Sequence, residues 1–137
     1  MDQLSRQGTR VLLVDDEPHV THVLGRRLRR HGYETLVARD GIEALEIGPG
    51  FRPDIILSDL QMPRLDGLSL AVELRRCTAT AETPILLISG RGFLLDEERV
   101  RETNIVEVFE KPFSVDTVFA KITAIVSQQR SAGADAA

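Results

Sequence analysis

The sequence predicts a doubly wound α/β fold, in which a five-stranded parallel sheet is covered by helices on both faces. Three observations carry this reading. Short runs rich in Val, Ile and Leu recur along the chain, mostly without the apolar/polar alternation of a half-solvated strand. Between them lie segments with apolar residues at helical spacing. The strand-like runs are followed by residues able to do chemistry: Asp15-Asp16, Asp59, Ser89 and Lys111.

A polar, flexible arm is expected over residues 1–9, and Arg10-Val11-Leu12-Leu13-Val14 is the first strand, ending in Asp15-Asp16. Glu17-Pro18 opens a helix, because proline suits the first turn and acidic side chains suit the positive helix start. Val20, Val23, Leu24 and Leu28 mark one face, and Gly32 is the expected terminator. Glu34–Ala38 reads as the second strand. The helix starting near Gly41 is expected to break at Gly48-Pro49-Gly50.

Asp54-Ile55-Ile56-Leu57-Ser58-Asp59 is the central strand, and Pro63 and Asp66-Gly67 turn the chain straight after it. A helix runs from Gly67 with Leu68, Ala71, Val72 and Arg75 setting its period. Pro84–Ile88 is the fourth strand, ending at Ser89-Gly90, and Gly92 loosens the loop beyond it. A polar helix spans roughly Asp96 to Thr103. Val106–Phe109, the fifth strand, delivers Lys111-Pro112-Phe113. The last helix, from about Ser114, repeats Val115, Val118, Phe119, Ile122, Ile125 and Val126. Beyond Gln129, residues 130–137 read as a frayed tail or linker.

The 137 residues suffice for one domain with a real core. With 17 basic against 21 acidic residues the net charge is −4, which gives neither nucleic acid nor an anionic membrane as an obvious partner. No apolar run approaches the roughly 20 residues of a membrane helix, and the start lacks a signal-like apolar core. A cytoplasmic protein is expected. The single cysteine, Cys77, lacks an internal disulfide partner and reads as an ordinary helix residue.

In an open parallel sheet, ligands bind beyond the carboxyl ends of the strands. With strand order 2-1-3-4-5, the residues after strands one, three, four and five converge. Three carboxylates, Asp15, Asp16 and Asp59, then repel one another unless a cation intervenes. Hard oxygen ligands of this kind suit Mg²⁺. A carboxylate nucleophile beside a metal, a hydroxyl (Ser89) and an ammonium (Lys111) is set up for phosphoryl transfer.

The joint pattern resembles the receiver domain of two-component response regulators: the acidic pair after strand one, Asp59 within Asp-x-x-Met-Pro-x-x-Asp-Gly, Ser89-Gly90 and Lys111-Pro112-Phe113. It spans about residues 9–128, placing the domain at 10–129. The resemblance implies a flavodoxin-like (βα)5 fold and a regulatory phosphoacceptor, not an enzyme, although such a domain assists its own phosphorylation and dephosphorylation. Asp59 is the implied phosphoacceptor. Asp16 is the implied direct Mg²⁺ ligand, Asp15 acts through water, and the Gln61 backbone carbonyl is a further ligand. Ser89 would bind the phosphoryl group, Gly90 would leave room and offer its N–H, and Lys111 would pair with a phosphoryl oxygen. The Lys111-Pro112 bond is often cis in the family. Implied partners are a sensor histidine kinase or phosphotransfer protein and a downstream protein target, with no direct nucleic-acid contact by this chain, and a monomer or weak dimer. A stand-alone chain and a piece of a longer regulator both fit. Three positions depart from the family: Val108 replaces a common aromatic, Ser89 stands in place of threonine and keeps the hydroxyl, and Asn104 replaces a glycine, where it tolerates the left-handed geometry expected.

Plainer readings stand beside these. Asp15 or Asp16 alone reads equally well as a helix cap, and Asp66-Gly67 as turn chemistry. His19, His22 and His31 read as surface residues, and Arg26–Arg30 as a solvated face. Gln61 and Arg91 flank the site. The competing functions are a non-phosphorylated interaction module on the same fold, which Val108 favours, and an aspartyl-phosphate phosphatase. The phosphatase is disfavoured because its nucleophile follows the first strand with a second aspartate two residues on. An FMN site is disfavoured by carboxylates where phosphate-cradling amides are needed.

Overall fold

A computed structural model describes residues 8–90 and 94–136. Most of the expected arm (residues 1–7), Arg91 and Gly92 lie outside the described residues. Five strands, β1 (Arg10–Val14), β2 (Glu34–Ala38), β3 (Ile55–Asp59), β4 (Ile85–Ser89) and β5 (Ile105–Glu110), form one parallel sheet in the order β2-β1-β3-β4-β5. The helices are α1 (Pro18–Arg30), α2 (Gly41–Phe51), α3 (Gly67–Arg76), α4 (Glu97–Arg101) and α5 (Val115–Ala136), with a short 3-10 turn at Thr78–Thr80.

Period-two alternation along the strands divides the core in two. Val11, Leu13, Ile55, Leu57, Leu86 and Ile88 face α1 and α5, where they meet Leu24, Leu28, Val118, Ile122 and Val126. Leu12, Val14, Ile56, Ile85 and Leu87 face the other way, against Ala44, Leu70, Ala71 and Leu74 of α2 and α3. Strands β3 and β4 are buried at every position, which explains their unbroken apolar runs. At the sheet edge, β5 alternates half-buried and exposed residues. Phe109 packs into the α1/α5 side, while Val108 on the opposite face is 37% exposed.

The structure corrects several expectations. Thr9 is buried and its carbonyl accepts the Glu34 N–H at 2.8 Å, so the fold begins before Arg10. Gly48-Pro49-Gly50 does not break α2, which runs through it to Phe51. Gly48 is there for close approach, since a β carbon would lie 3.3 Å from Leu12 of β1. Pro49 falls in the last turn, and the helix ends at Arg52, left-handed at φ 53°, whose N–H reaches the Gly48 carbonyl. Helix α5 does not stop at Gln129 but continues to Ala136, in keeping with three alanines among residues 130–136. Asn104 is not left-handed, as among the described residues the non-glycine positions with positive φ are Arg52 and Arg64. Its side chain instead accepts from the Arg75 guanidinium and donates to the Ala81 carbonyl, tying the start of β5 to the end of α3.

Candidate functional site

Each residue of the strand-end cluster is delivered by a specific backbone device. Past β1, the Asp15 N–H donates to the Ala38 carbonyl at 3.0 Å, and Asp15 Oδ1 accepts the Glu17 N–H at 2.8 Å. That bond braces the turn into α1. Glu17 is the residue preceding the helix and its side chain makes no cap bond. Asp15 is buried and Asp16 is exposed. Asp59 closes β3 at 4% exposure, and the next residue's N–H bonds to Ile88 of β4 at 2.8 Å.

Helix α3 starts directly against that strand end. The Gly67 N–H donates to the Leu60 carbonyl at 2.8 Å, and a β carbon on Gly67 would lie 2.4 Å from the Asp59 carbonyl oxygen. Glycine is therefore required for the helix to begin so close. Asp66 caps α3 by accepting the Ser69 N–H at 2.7 Å, so the turn reading of Asp66-Gly67 holds. On the other side, the Lys111 N–H donates to the Ser89 carbonyl at 2.9 Å, and the Lys111–Pro112 bond is cis.

These devices bring together most of the predicted residues. Asp15, Asp16 and Asp59 each offer a carboxylate oxygen within 4.8 Å of the others. The Lys111 ammonium lies 3.3 Å from Asp59 Oδ1 and 3.4 Å from Oδ2. Buried Ser89 ends the neighbouring strand, but its hydroxyl donates to the Gly90 carbonyl at 3.2 Å instead of pointing at Asp59. Gln61 is exposed, and its side chain turns to Gly90, whose N–H donates to Gln61 Oε1 at 3.1 Å. Sequence reasoning placed both residues at the site but missed this contact, because no local pattern pairs positions 29 residues apart.

At separations of about 5 Å and an effective dielectric of about 20, each pair of ionised carboxylates repels by about 3 kcal/mol. One ammonium cannot neutralise three such groups. Burial pushes the Asp59 carboxyl above its ordinary value of 3.8, with Lys111 pulling the other way. Burial likewise raises Asp15; the Glu17 N–H bond opposes it and the charge of Asp59 adds to it. Among the described residues, Asp59 Oδ1 is a buried side-chain oxygen without a hydrogen bond. Hard oxygen donors around a buried oxygen that is ion-paired with Lys111 but accepts no hydrogen bond fit a small divalent cation.

Of the other polar candidates, one borders the acidic cluster. His22 is exposed and lines an open cavity of about 560 Å³ with Asp15, Asp16 and Arg39. Exposed His31 stacks edge-on to Tyr33 and Phe119. Cys77 is half-buried and free. Among the described residues no helix is long and apolar enough to cross a membrane.

Comparison with known proteins agrees with the geometry. The family model of the response regulator receiver domain matches residues 11–123. A DNA-binding dual master transcriptional regulator of Synechocystis sp. is 30% identical over 85% of this chain and 48% of its own length. The response regulator MprA of Mycobacterium leprae is 35% identical over 88% of this chain and 52% of its own length, so the chain spans about half of these relatives. Among solved structures, the receiver domain of a Pseudomonas aeruginosa sensor histidine kinase, with magnesium in its active-site cleft, superposes with a TM-score of 0.75. It is 28% identical and covers 88% of this chain and 98% of its own.

Proposed function

This chain belongs to the response regulator receiver domain family, and we propose that it is a phosphoacceptor switch in which a histidine kinase or phosphotransfer protein phosphorylates Asp59 in a Mg²⁺-dependent reaction. The observation that carries this is the buried Asp59 carboxylate, with one oxygen lacking a hydrogen bond, Lys111 at 3.3 Å, and Asp15 and Asp16 within ligand-sharing distance. The magnesium-bearing relative supports the same reading.

An Asp59 oxygen attacks phosphorus, forming an O–P bond as the P–N bond of a phosphohistidine breaks, and the imidazole leaves with the electron pair. Asp15, Asp16, Asp59 and the Gln61 carbonyl would hold the cation, whose charge offsets that of the attacking carboxylate and the phosphoryl oxygens. Lys111 and the Ser89 hydroxyl receive phosphoryl oxygens. Reorientation of Ser89 from the Gly90 carbonyl toward the phosphoryl group pulls the β4 end inward and shifts the protein-binding surface of α4, β5 and α5. That surface serves a protein target. Direct nucleic-acid contact is no part of this proposal for the chain, which matches the relative named as DNA-binding over 48% of that protein's length.

Incubation with acetyl phosphate and Mg²⁺ adds one phosphoryl mass that maps to Asp59. Retention of that mass in Asp59→Asn overturns the assignment. Val108 favours a second reading, a non-phosphorylated interaction module, because no aromatic ring occupies that position. Partner binding indifferent both to Asp59→Asn and to beryllofluoride would select it.

A further inference from the structure

The end of β4 carries two hydrogen-bond donors beside Asp59, and both are engaged locally. The Ser89 hydroxyl donates to the Gly90 carbonyl, and the Gly90 N–H donates to Gln61 Oε1 at 3.1 Å. Gln61 leaves the end of β3 two residues after Asp59, so its carboxamide bridges the strand that carries the phosphoacceptor and the neighbouring β4, where Asp59 pairs with Ile88. A β carbon at position 90 would lie 2.3 Å from Gln61 Oε1. The contact thus exists because residue 90 is glycine.

We propose that Gln61 is a latch: its carboxamide oxygen occupies the Gly90 N–H as a surrogate phosphoryl oxygen, and a phosphoryl group on Asp59 must displace it to complete its own hydrogen bonds. The inference rests on the phosphoacceptor reading above. An amide carries one proton, so the two acceptors exclude each other. A phosphoryl oxygen wins because a charge-assisted bond is roughly twice as strong as a neutral one. The displaced carboxamide, on an exposed side chain, passes to water. Gln61 is then a positioning residue that holds the β4 end in its resting arrangement and opposes loading by the worth of one neutral hydrogen bond, about fivefold.

The pair can be broken from either side. Gln61→Ala removes the acceptor. Gly90→Ala expels it, because the crowded atom is the far end of a flexible, exposed side chain and position 90 does not have positive φ. Two substitutions that undo one contact give the same effect singly and no more together.

The first test needs neither phosphoryl group nor metal: amide exchange at Gly90 in the full chain, by NMR, accelerates about fivefold in Gln61→Ala. Unchanged exchange overturns the latch. The second is titration with beryllofluoride in saturating Mg²⁺. Gln61→Ala and Gly90→Ala each tighten binding about fivefold, and the double variant matches the singles. Equal or weaker binding in Gln61→Ala, or a double variant tightened by the product of the two factors, overturns it. If the wild-type chain binds beryllofluoride and the variants bind it equally, the latch alone fails. If the wild-type chain takes up neither beryllofluoride nor a phosphoryl group, the phosphoacceptor reading fails and the latch with it, whatever Gly90 exchange shows.

Discussion

Lys111 holds its ammonium 3.3 Å from Asp59 Oδ1 and 3.4 Å from Oδ2, nearly equidistant from the two oxygens of a carboxylate that is otherwise buried. The lysine is itself 42% exposed, so the pair is open to solvent on one side and is poorly placed to act as a structural clasp. Its position suits a cation waiting for a more highly charged partner. In Lys111→Met, beryllofluoride binding weakens by at least about tenfold, the worth of one charge-assisted hydrogen bond. Mg²⁺ binding tightens, because a competing positive charge has gone. Calorimetric titration of both ligands separates the two effects, and loss of Mg²⁺ affinity would show that Lys111 instead shapes the carboxylate cluster.

The raised Asp59 and Asp15 carboxyls set the sign of a pH response. The folded chain holds these protons more tightly than the unfolded chain, whose aspartates titrate near 3.8. Their contribution to stability is therefore most favourable below 3.8, is lost as pH rises through the folded values, and is a fixed deficit at neutral pH. Asp59→Asn removes its share of that deficit. In chelator at pH 7 the variant melts higher than wild type, because the buried charge is gone. The gap closes as the buffer is acidified toward pH 4. A lower melting temperature at pH 7 would mean that the bonds to Lys111 outweigh the cost of burying the charge.

A cation bound among the acids stabilises the folded chain by mass action. At about 100 times its dissociation constant, Mg²⁺ contributes about 2.7 kcal/mol, raising the melting temperature by several degrees. Asp16 is the exposed member of the cluster. Asp16→Asn therefore relieves repulsion within the cluster, leaving melting in chelator at or above the wild-type value, while abolishing most of the Mg²⁺ increment. Scanning fluorimetry with and without chelator checks both halves, and a full increment in Asp16→Asn would place the cation elsewhere.

What the sequence made legible follows from range. Strand-end chemistry could be read because apolar runs such as Ile55–Leu57 and Leu86–Ile88 announce their own burial, and the topology rule for parallel sheets then brings Asp15, Asp59, Ser89 and Lys111 to one edge. Errors arose where a residue had two local meanings. Gly48 has the local signature of a breaker, but its packing against Leu12 depends on a strand 36 positions away. Asn104 suggests left-handed backbone by residue type, yet it works as a side-chain tie to Arg75 and Ala81. The Gln61–Gly90 bond likewise depends on where two loops meet, which composition and periodicity do not encode.

Gly67 offers the sharpest test of how the scaffold positions the phosphoacceptor. A β carbon there would lie 2.4 Å from the Asp59 carbonyl oxygen, 3.0 Å from Leu60 Cα and 3.0 Å from a Leu87 methyl. Two of those neighbours are backbone, which cannot swing aside. Helix α3 must retreat from β3, breaking the Gly67 N–H bond to Leu60 and tilting the segment that carries Asp59. Gly67→Ala is expected to destabilise the fold by about 1–3 kcal/mol, the range for overpacking a well-filled contact. Gly50→Ala supplies the control. Gly50 also lies in a helix, but a β carbon there meets nothing within 4 Å, so alanine should stabilise by about 0.5–1 kcal/mol through helix propensity alone. Urea midpoints should move in opposite directions for the two variants, and only Gly67→Ala should also weaken beryllofluoride binding. If Gly67→Ala keeps both its midpoint and its affinity, the close seating of α3 on the end of β3 does not fix the position of Asp59.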